Sequence, residues 1–171
     1  GGESDYFRVL AQEGSTELVF DPPRSAPILV AGGMWEFDSK VDFTLTSSKP
    51  ILLAQFMASQ SMTRPPGPFG VSGDCPSEIG GTCQGDPSLV LAAPVQQWLG
   101  DVIFLVPDTY SHQFINVAFS VGTEIALDGV AIDTSAANVI GSGDWRSVVI
   151  PTTGGYRTLS ASRPVGVLVC G

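Results

Sequence analysis

Few residues in this sequence combine a type and a spacing that could carry chemistry. His112 is the only histidine, so any nucleophile activated by an imidazole base has to use it. It follows Pro107-Asp108-Thr109-Tyr110-Ser111, a turn ahead of a strand, and no Gly-x-Ser-x-Gly elbow supplies a nucleophile. The residue reads as a solvent-facing or turn-capping histidine. A glycosidase needs two carboxylates about 5 to 10 Å apart, and the Asp+Glu count of 17 allows many pairs while singling out none. Gly141-Ser142-Gly143 and Gly154-Gly155 lack the Lys-Ser/Thr of a phosphate loop and match no dinucleotide fingerprint, so they read as turn glycines. The sequence thus assigns no catalytic residue, no cofactor and no metal ligand. Acids do gather in loops, as Asp38 with Asp42, Asp74 with Glu78 and Asp86, and Asp128 with Asp133. That leaves calcium as the metal the chemistry admits, without the spacing of an EF-hand loop.

Cys75 and Cys83 frame a small polar loop, Pro76 to Thr82, which contains Gly80 and Gly81. A disulfide between them is the expected role, because it would stiffen an excursion that has no core of its own. Two thiolates without a nearby histidine or a second cysteine pair are the weaker alternative of a zinc site. A disulfide places the chain in an extracellular or periplasmic setting. Cys170 ends an apolar run, where it reads as a small buried hydrophobe or as the partner of a cysteine outside this sequence. Trp98, Asp86 and Tyr110 are the candidate ligand-binding residues. Asp86 has a competing structural reading: ahead of Pro87-Ser88 its carboxylate suits a side-chain-to-backbone turn.

These side chains must be held by a scaffold, and composition limits what it can be. The chain has 171 residues and a formal net charge of −9, with a sequence pI near 4.3. That length suits one domain or two small ones with a packed core. Hydrophobic residues make up 43% against 15% charged, which rules out a disordered polyelectrolyte. The acidic balance argues against a nucleic-acid partner, whose phosphates need a basic surface. No apolar run approaches a membrane span. Residues 1–20 carry Glu3, Asp5, Glu13 and Glu17 and do not read as a secretory leader, so the sequence reads as a mature product or an excerpt of something longer.

Gly 20 and Pro 13 fall between short apolar runs, the punctuation of an all-β protein. Strands are expected at Tyr6–Ala11, Thr16–Phe20, Pro27–Ala31, Val41–Thr46 and Ile51–Met57 in the first part of the chain. Ser88–Ala92, Val102–Val106, Phe114–Ser120, Thr123–Leu127, Trp145–Ile150, Tyr156–Ser160 and Val165–Cys170 follow. Asp128-Gly129 is the strongest hairpin signal, and only Ala93–Leu99 could form a helical turn.

The two ends of the chain resemble each other. Thr16-Glu17-Leu18-Val19-Phe20-Asp21 matches Thr123-Glu124-Ile125-Ala126-Leu127-Asp128, and the same spacing carries Phe7 to Phe114 and Ala11 to Ala118. Thr44-Leu45-Thr46-Ser47-Ser48-Lys49-Pro50-Ile51 matches Thr158-Leu159-Ser160-Ala161-Ser162-Arg163-Pro164-Val165, and Gly33-Met34-Trp35 aligns with Gly143-Asp144-Trp145. The alignment gives Trp35 and Trp145 a shared packing role. The fold class is therefore all-β: two similar β-sandwich-like units from an internal duplication, packed together. Residues 1–57 form the first unit, 58–87 a Pro/Gly-rich disulfide loop and linker, and 88–171 the second unit.

One stretch carries a resemblance. Gly85-Asp86-Pro87-Ser88-Leu89-Val90-Leu91-Ala92-Ala93-Pro94-Val95-Gln96-Gln97-Trp98 precedes Phe104-Leu105-Val106-Pro107-Asp108-Thr109-Tyr110, then Leu127-Asp128-Gly129 and Arg163-Pro164-Val165-Gly166-Val167. In this order, and with Lys49-Pro50-Ile51-Leu52-Leu53-Ala54-Gln55-Phe56 ahead of them, these runs resemble the IgG Fc-binding protein N-terminal domain family. Gln96-Gln97 stands where members usually carry Glu-Gln, and many have Tyr near Cys170. The resemblance implies a secreted or surface protein, as in a bacterial-type member, and a module that is not an enzyme. The resulting expectation is a non-enzymatic extracellular adhesion or structural binding module of a larger secreted or surface protein. Its partner would be a protein or glycan at a surface or in extracellular matrix, with self-association through an exposed sheet edge as a further expectation. The alternatives are a carbohydrate-binding module, with or without calcium, and a carboxylate-based hydrolase.

The cysteine reading is directly testable. Mass spectrometry of a non-reduced digest should find Cys75 and Cys83 in one linked peptide pair, and this closure should contribute about 2 to 3 kcal/mol in the loop-entropy model. A Cys75–Cys170 link, or free thiols at Cys75 and Cys83, would contradict it.

Overall fold

A computed structural model describes residues 4–57, 88–109 and 112–170. Among these the fold is all-β, with one 3-10 turn at Val95–Gln97. The chain divides into two compact units, Gly1–Ala92 and Ala93–Gly171.

The first unit contains β1 (Asp5–Ala11), β2 (Leu18–Asp21), β3 (Met34–Ser39), β4 (Thr44–Ser47), β5 (Ile51–Phe56) and β6 (Leu89–Leu91). One antiparallel sheet runs β3-β1-β5-β6, and β2 pairs with β4 in a second. Alternation sorts the faces: Phe7, Val9 and Ala11 of β1 point to the same side as Trp35 and Phe37 of β3, while Tyr6, Arg8 and Leu10 point away. Phe20 brings the β2–β4 pair onto that inner face, meeting Phe37 edge-on at 5.3 Å and Trp35 at 5.9 Å. Trp35 stacks on Phe37 at 4.7 Å, and Phe43 meets Phe7 edge-on at 4.9 Å. Such pairs add about 0.5–1.5 kcal/mol each beyond the area they bury. Val9, Ala11, Phe20, Leu29 and Phe37 are the buried centre.

The second unit contains β7 (Leu99–Val106), β8 (Gln113–Ser120), β9 (Ile125–Leu127), β10 (Val130–Ala131), β11 (Asn138–Ile140), β12 (Trp145–Thr152) and β13 (Gly155–Cys170). The strand order is β10-β9-β13-β8-β12-β11, with β7 also on β13. The 16 residues of β13 serve three neighbours. Gly155–Ser160 pairs with β7, and Leu159–Ala161 pairs with β9 on the opposite edge. The register shifts between Ser160 and Val165, and Gly166–Cys170 pairs with β8. Pro164 sits in that interruption, where its missing N–H breaks no regular ladder. Ile115, Val117, Phe119, Ile125, Ile150, Leu159 and Val165 form the buried centre.

Corresponding residues of the two matched blocks make corresponding bonds. Leu18 faces Ser47 and Phe20 faces Leu45, as Ile125 faces Ala161 and Leu127 faces Leu159. Thr16 and Thr123 are buried, and each donates its hydroxyl to the carbonyl three residues back, Glu13 or Ser120, at 2.7 Å. Ser15 and Gly122 both take positive φ, 56° and 79°. Lys49 donates to the Gly14 carbonyl, and Arg163 donates to that of Val121.

Several sequence expectations are corrected. Leu89–Leu91 hydrogen-bonds to β5 and lies in the first unit, not the second. Pro27–Ala31 forms no strand; its one ladder contact is a bridge between Leu29 and Thr16. A further strand forms at Met34–Ser39, where the sequence places Asp38 among the loop acids; Glu36 and Asp38 occupy the outward face of a normal alternation. Tyr156–Ser160 and Val165–Cys170 are one strand rather than two. The two tryptophans do not correspond: Trp35 pairs with Val9, whose counterpart Asn116 pairs with Val149, while Trp145 pairs with Ser120.

The matched serines give a test. Glu17 donates its amide to Ser48 Oγ at 2.9 Å, and Glu124 donates to Ser162 Oγ at 2.9 Å. Ser48→Ala and Ser162→Ala should each cost about 0.5–1 kcal/mol in denaturant unfolding, with additive effects in the double variant. A loss confined to one of the two would show that the bonds are not energetically equivalent.

Candidate functional site

Trp98, the one candidate ligand residue among those described, follows the 3-10 turn and lies over β13. Its indole N–H donates to the Ala93 carbonyl at 3.1 Å, and its ring meets Trp145 of β12 edge-on with centroids 5.5 Å apart. A Cβ placed on Gly166 would come within 2.7 Å of two indole carbons, so the ring rests directly on the bare backbone of β13. One face of the indole and its donor are therefore committed to the protein itself. The arrangement clips the Val95–Gln97 segment to the sheet. Asp86, Tyr110, Cys75 and Cys83 lie outside the described residues.

Further along the same face of the sheet, Asn116 of β8 donates its amide to the sulfur of Cys170 at 3.5 Å, while Asn116 Oδ1 is buried with no hydrogen-bond partner. Cys170 is half-buried at the end of β13.

Two of the loop acids considered for calcium, Asp128 and Asp133, are engaged within the protein. Asp128 and Gly129, at φ 52° and 78°, form the expected tight turn between β9 and β10. Asp128 Oδ1 accepts the Thr158 amide at 2.9 Å and Oδ2 pairs with Arg157 at 3.1 Å. The amide of Ser135 donates to Asp133 Oδ1 at 2.9 Å, and this bond, helped by the Ser135 side chain, holds the Asp133 carboxyl below the usual carboxylate range. Among the described residues no group of three or more His, Cys, Asp or Glu is arranged to hold a metal ion.

Exposed apolar surface is the more informative feature. On the first unit's outward sheet face, Leu10 lies between Met34 and Leu52, all three exposed. Beside them Arg8 pairs with Glu36 and covers the Phe56 ring at 5.2 Å. In the second unit, β7 turns Leu99, Ile103 and Leu105 to solvent at 60%, 75% and 57% exposure, and Tyr156, opposite Leu105, is 80% exposed. Sequence reasoning missed this edge because Val102, Phe104 and Val106 interleave with the exposed residues. An unbroken apolar run reads as a strand buried on both faces. Asp101, alone among them in charge, was the available sign of an outward row.

Among the described residues no helix is long and apolar enough to cross a membrane. A family model described as IgGFc binding protein matches residues 1–171, the full length of the chain. Neither the curated proteins nor the solved structures yielded a match.

The Trp98 clip makes a prediction. Gly166→Ala should force the indole off β13, cost about 1–3 kcal/mol of stability and change the tryptophan fluorescence of the folded protein. An unchanged spectrum and melting temperature would mean that Trp98 does not bear on Gly166 in solution.

Proposed function

The chain belongs to the IgGFc binding protein family, and on that premise we propose that it is a non-enzymatic extracellular adhesion or structural binding module of a larger secreted or surface protein. The observation that carries this reading is the pairing of a whole-length family match with wide apolar sheet surfaces left exposed in each unit. Contiguous exposed apolar surface on a soluble domain is characteristic of a protein-binding face. A protein ligand is favoured over a glycan because Trp98, the candidate residue best suited to stack on a sugar, commits one ring face and its N–H to contacts within the protein. The matched hydrogen bonds of the two units support reading them as copies of one ancestral unit. A Cys75–Cys83 disulfide would fit an extracellular setting.

Beads coated with the purified chain and applied to decellularised extracellular matrix test the class of ligand. Adhesion should be abolished by protease treatment of the matrix and should survive periodate oxidation of its glycans and addition of EDTA. Loss on periodate or EDTA would replace this reading with a calcium-dependent carbohydrate module. Absence of adhesion would remove the adhesive role.

A further inference from the structure

The edge strand β7 combines three properties. First, β7 hydrogen-bonds to β13 on one side, and no other strand among the described residues pairs with it. In an antiparallel edge strand, alternate residues then direct N–H and C=O groups away from the sheet. Second, its outward row reads Leu99, Asp101, Ile103, Leu105, all exposed, and continues onto Thr158 and Tyr156 of β13. Third, the strand is eight residues long and contains neither the lysine nor the proline that commonly protect an edge. Its single charge is the carboxylate of Asp101.

That charge selects the occupant. If a second copy of this chain paired antiparallel through β7 with the faces aligned, Asp101 would lie opposite Leu99, Asp101, Ile103 or Leu105 of the copy. Since β7 has no basic residue, each of these registers leaves the carboxylate against an apolar group or against its own equivalent. The net charge of −9 adds general repulsion between copies. An added strand with Lys or Arg at that position satisfies the carboxylate, and apolar residues two positions away on either side cover Leu99 and Ile103.

We propose that β7 is a strand-addition edge that accepts an extended segment of a partner protein with alternating apolar residues and one Lys or Arg opposite Asp101. Main-chain bonds provide the attachment, and the row of outward side chains provides the selectivity. The proposal rests on the protein-binding reading above and adds to it the surface and the chemistry of the partner.

The probe is the capped peptide Val-Thr-Val-Thr-Lys-Thr-Val, which in antiparallel register sets its Val side chains against Leu105, Ile103 and Leu99 and its Lys against Asp101. It is titrated into the isotope-labelled full chain and followed by amide NMR, alongside a twin with Glu in place of Lys. Shifts should concentrate in Leu99–Val106, and the Lys peptide should bind roughly two- to fivefold more tightly than the Glu peptide. In Asp101→Lys, an exposed substitution whose fold the same spectra check, the preference should invert. Equal affinity of the two peptides, or shifts that avoid β7, would overturn the proposal. So would concentration-dependent dimerisation abolished by Asp101→Lys, which would make a second copy the occupant. Repeating the matrix-adhesion assay with Asp101→Lys separates the two claims. Protease-sensitive adhesion that persists at full strength while the peptides fail at β7 sinks this edge and leaves the binding module standing.

Discussion

Each unit depends on an inner strand that is hydrogen-bonded along both edges. In the second unit β13 takes this role over 16 residues, with β7 and β9 flanking its first half and β8 its second. Leu159 and Val165, on either side of the register shift, are both essentially buried and anchor the unit's core. In the first unit β5 lies between β1 and β6, while β4, which corresponds to the first half of β13, is a separate strand paired with β2. The break falls at Ser48-Lys49-Pro50, and its counterpart in β13 is the interruption at Ser162-Arg163-Pro164. The same local chemistry thus yields two short strands in one unit and one long, bent strand in the other.

Most of the strand inventory was legible, because apolar alternation and Gly/Pro punctuation are local signals. Asp128-Gly129 marked a hairpin, and the 3-10 turn at Val95–Gln97 fell inside Ala93–Leu99, the only segment expected to form a helical turn. The paired blocks of similar sequence also pointed to similar registers, as Ser48 and Ser162 show. What escaped was set by tertiary context. Nothing local distinguishes Trp35, packed among phenylalanines, from Trp145, packed against Trp98. The pairing of Leu89–Leu91 with β5 joins residues far apart in sequence, which no local pattern announces.

The site was less legible than the fold for the same reason. An aromatic residue in a sequence does not reveal whether its face is open, and one face of Trp98 is covered by a glycine 68 positions away, counting from 98 to 166. Conversely, the residues left open are ordinary aliphatics. Leu99, Ile103 and Leu105 look like core until the sheet order places them at an edge. The exposed row on β7 follows from which strand edges remain unpaired among the described residues, a property of topology that no single side chain announces.

Amide hydrogen exchange on the unliganded full chain, resolved by residue, tests that claim most directly. The open-edge account predicts slow exchange throughout β8 and along the paired parts of β13, and an alternating pattern in Leu99–Val106. There, amides directed at β13 should be protected and those between them should exchange rapidly. Uniform protection across β7, equal to that of β13, would mean that its outer edge is already occupied and would contradict the account.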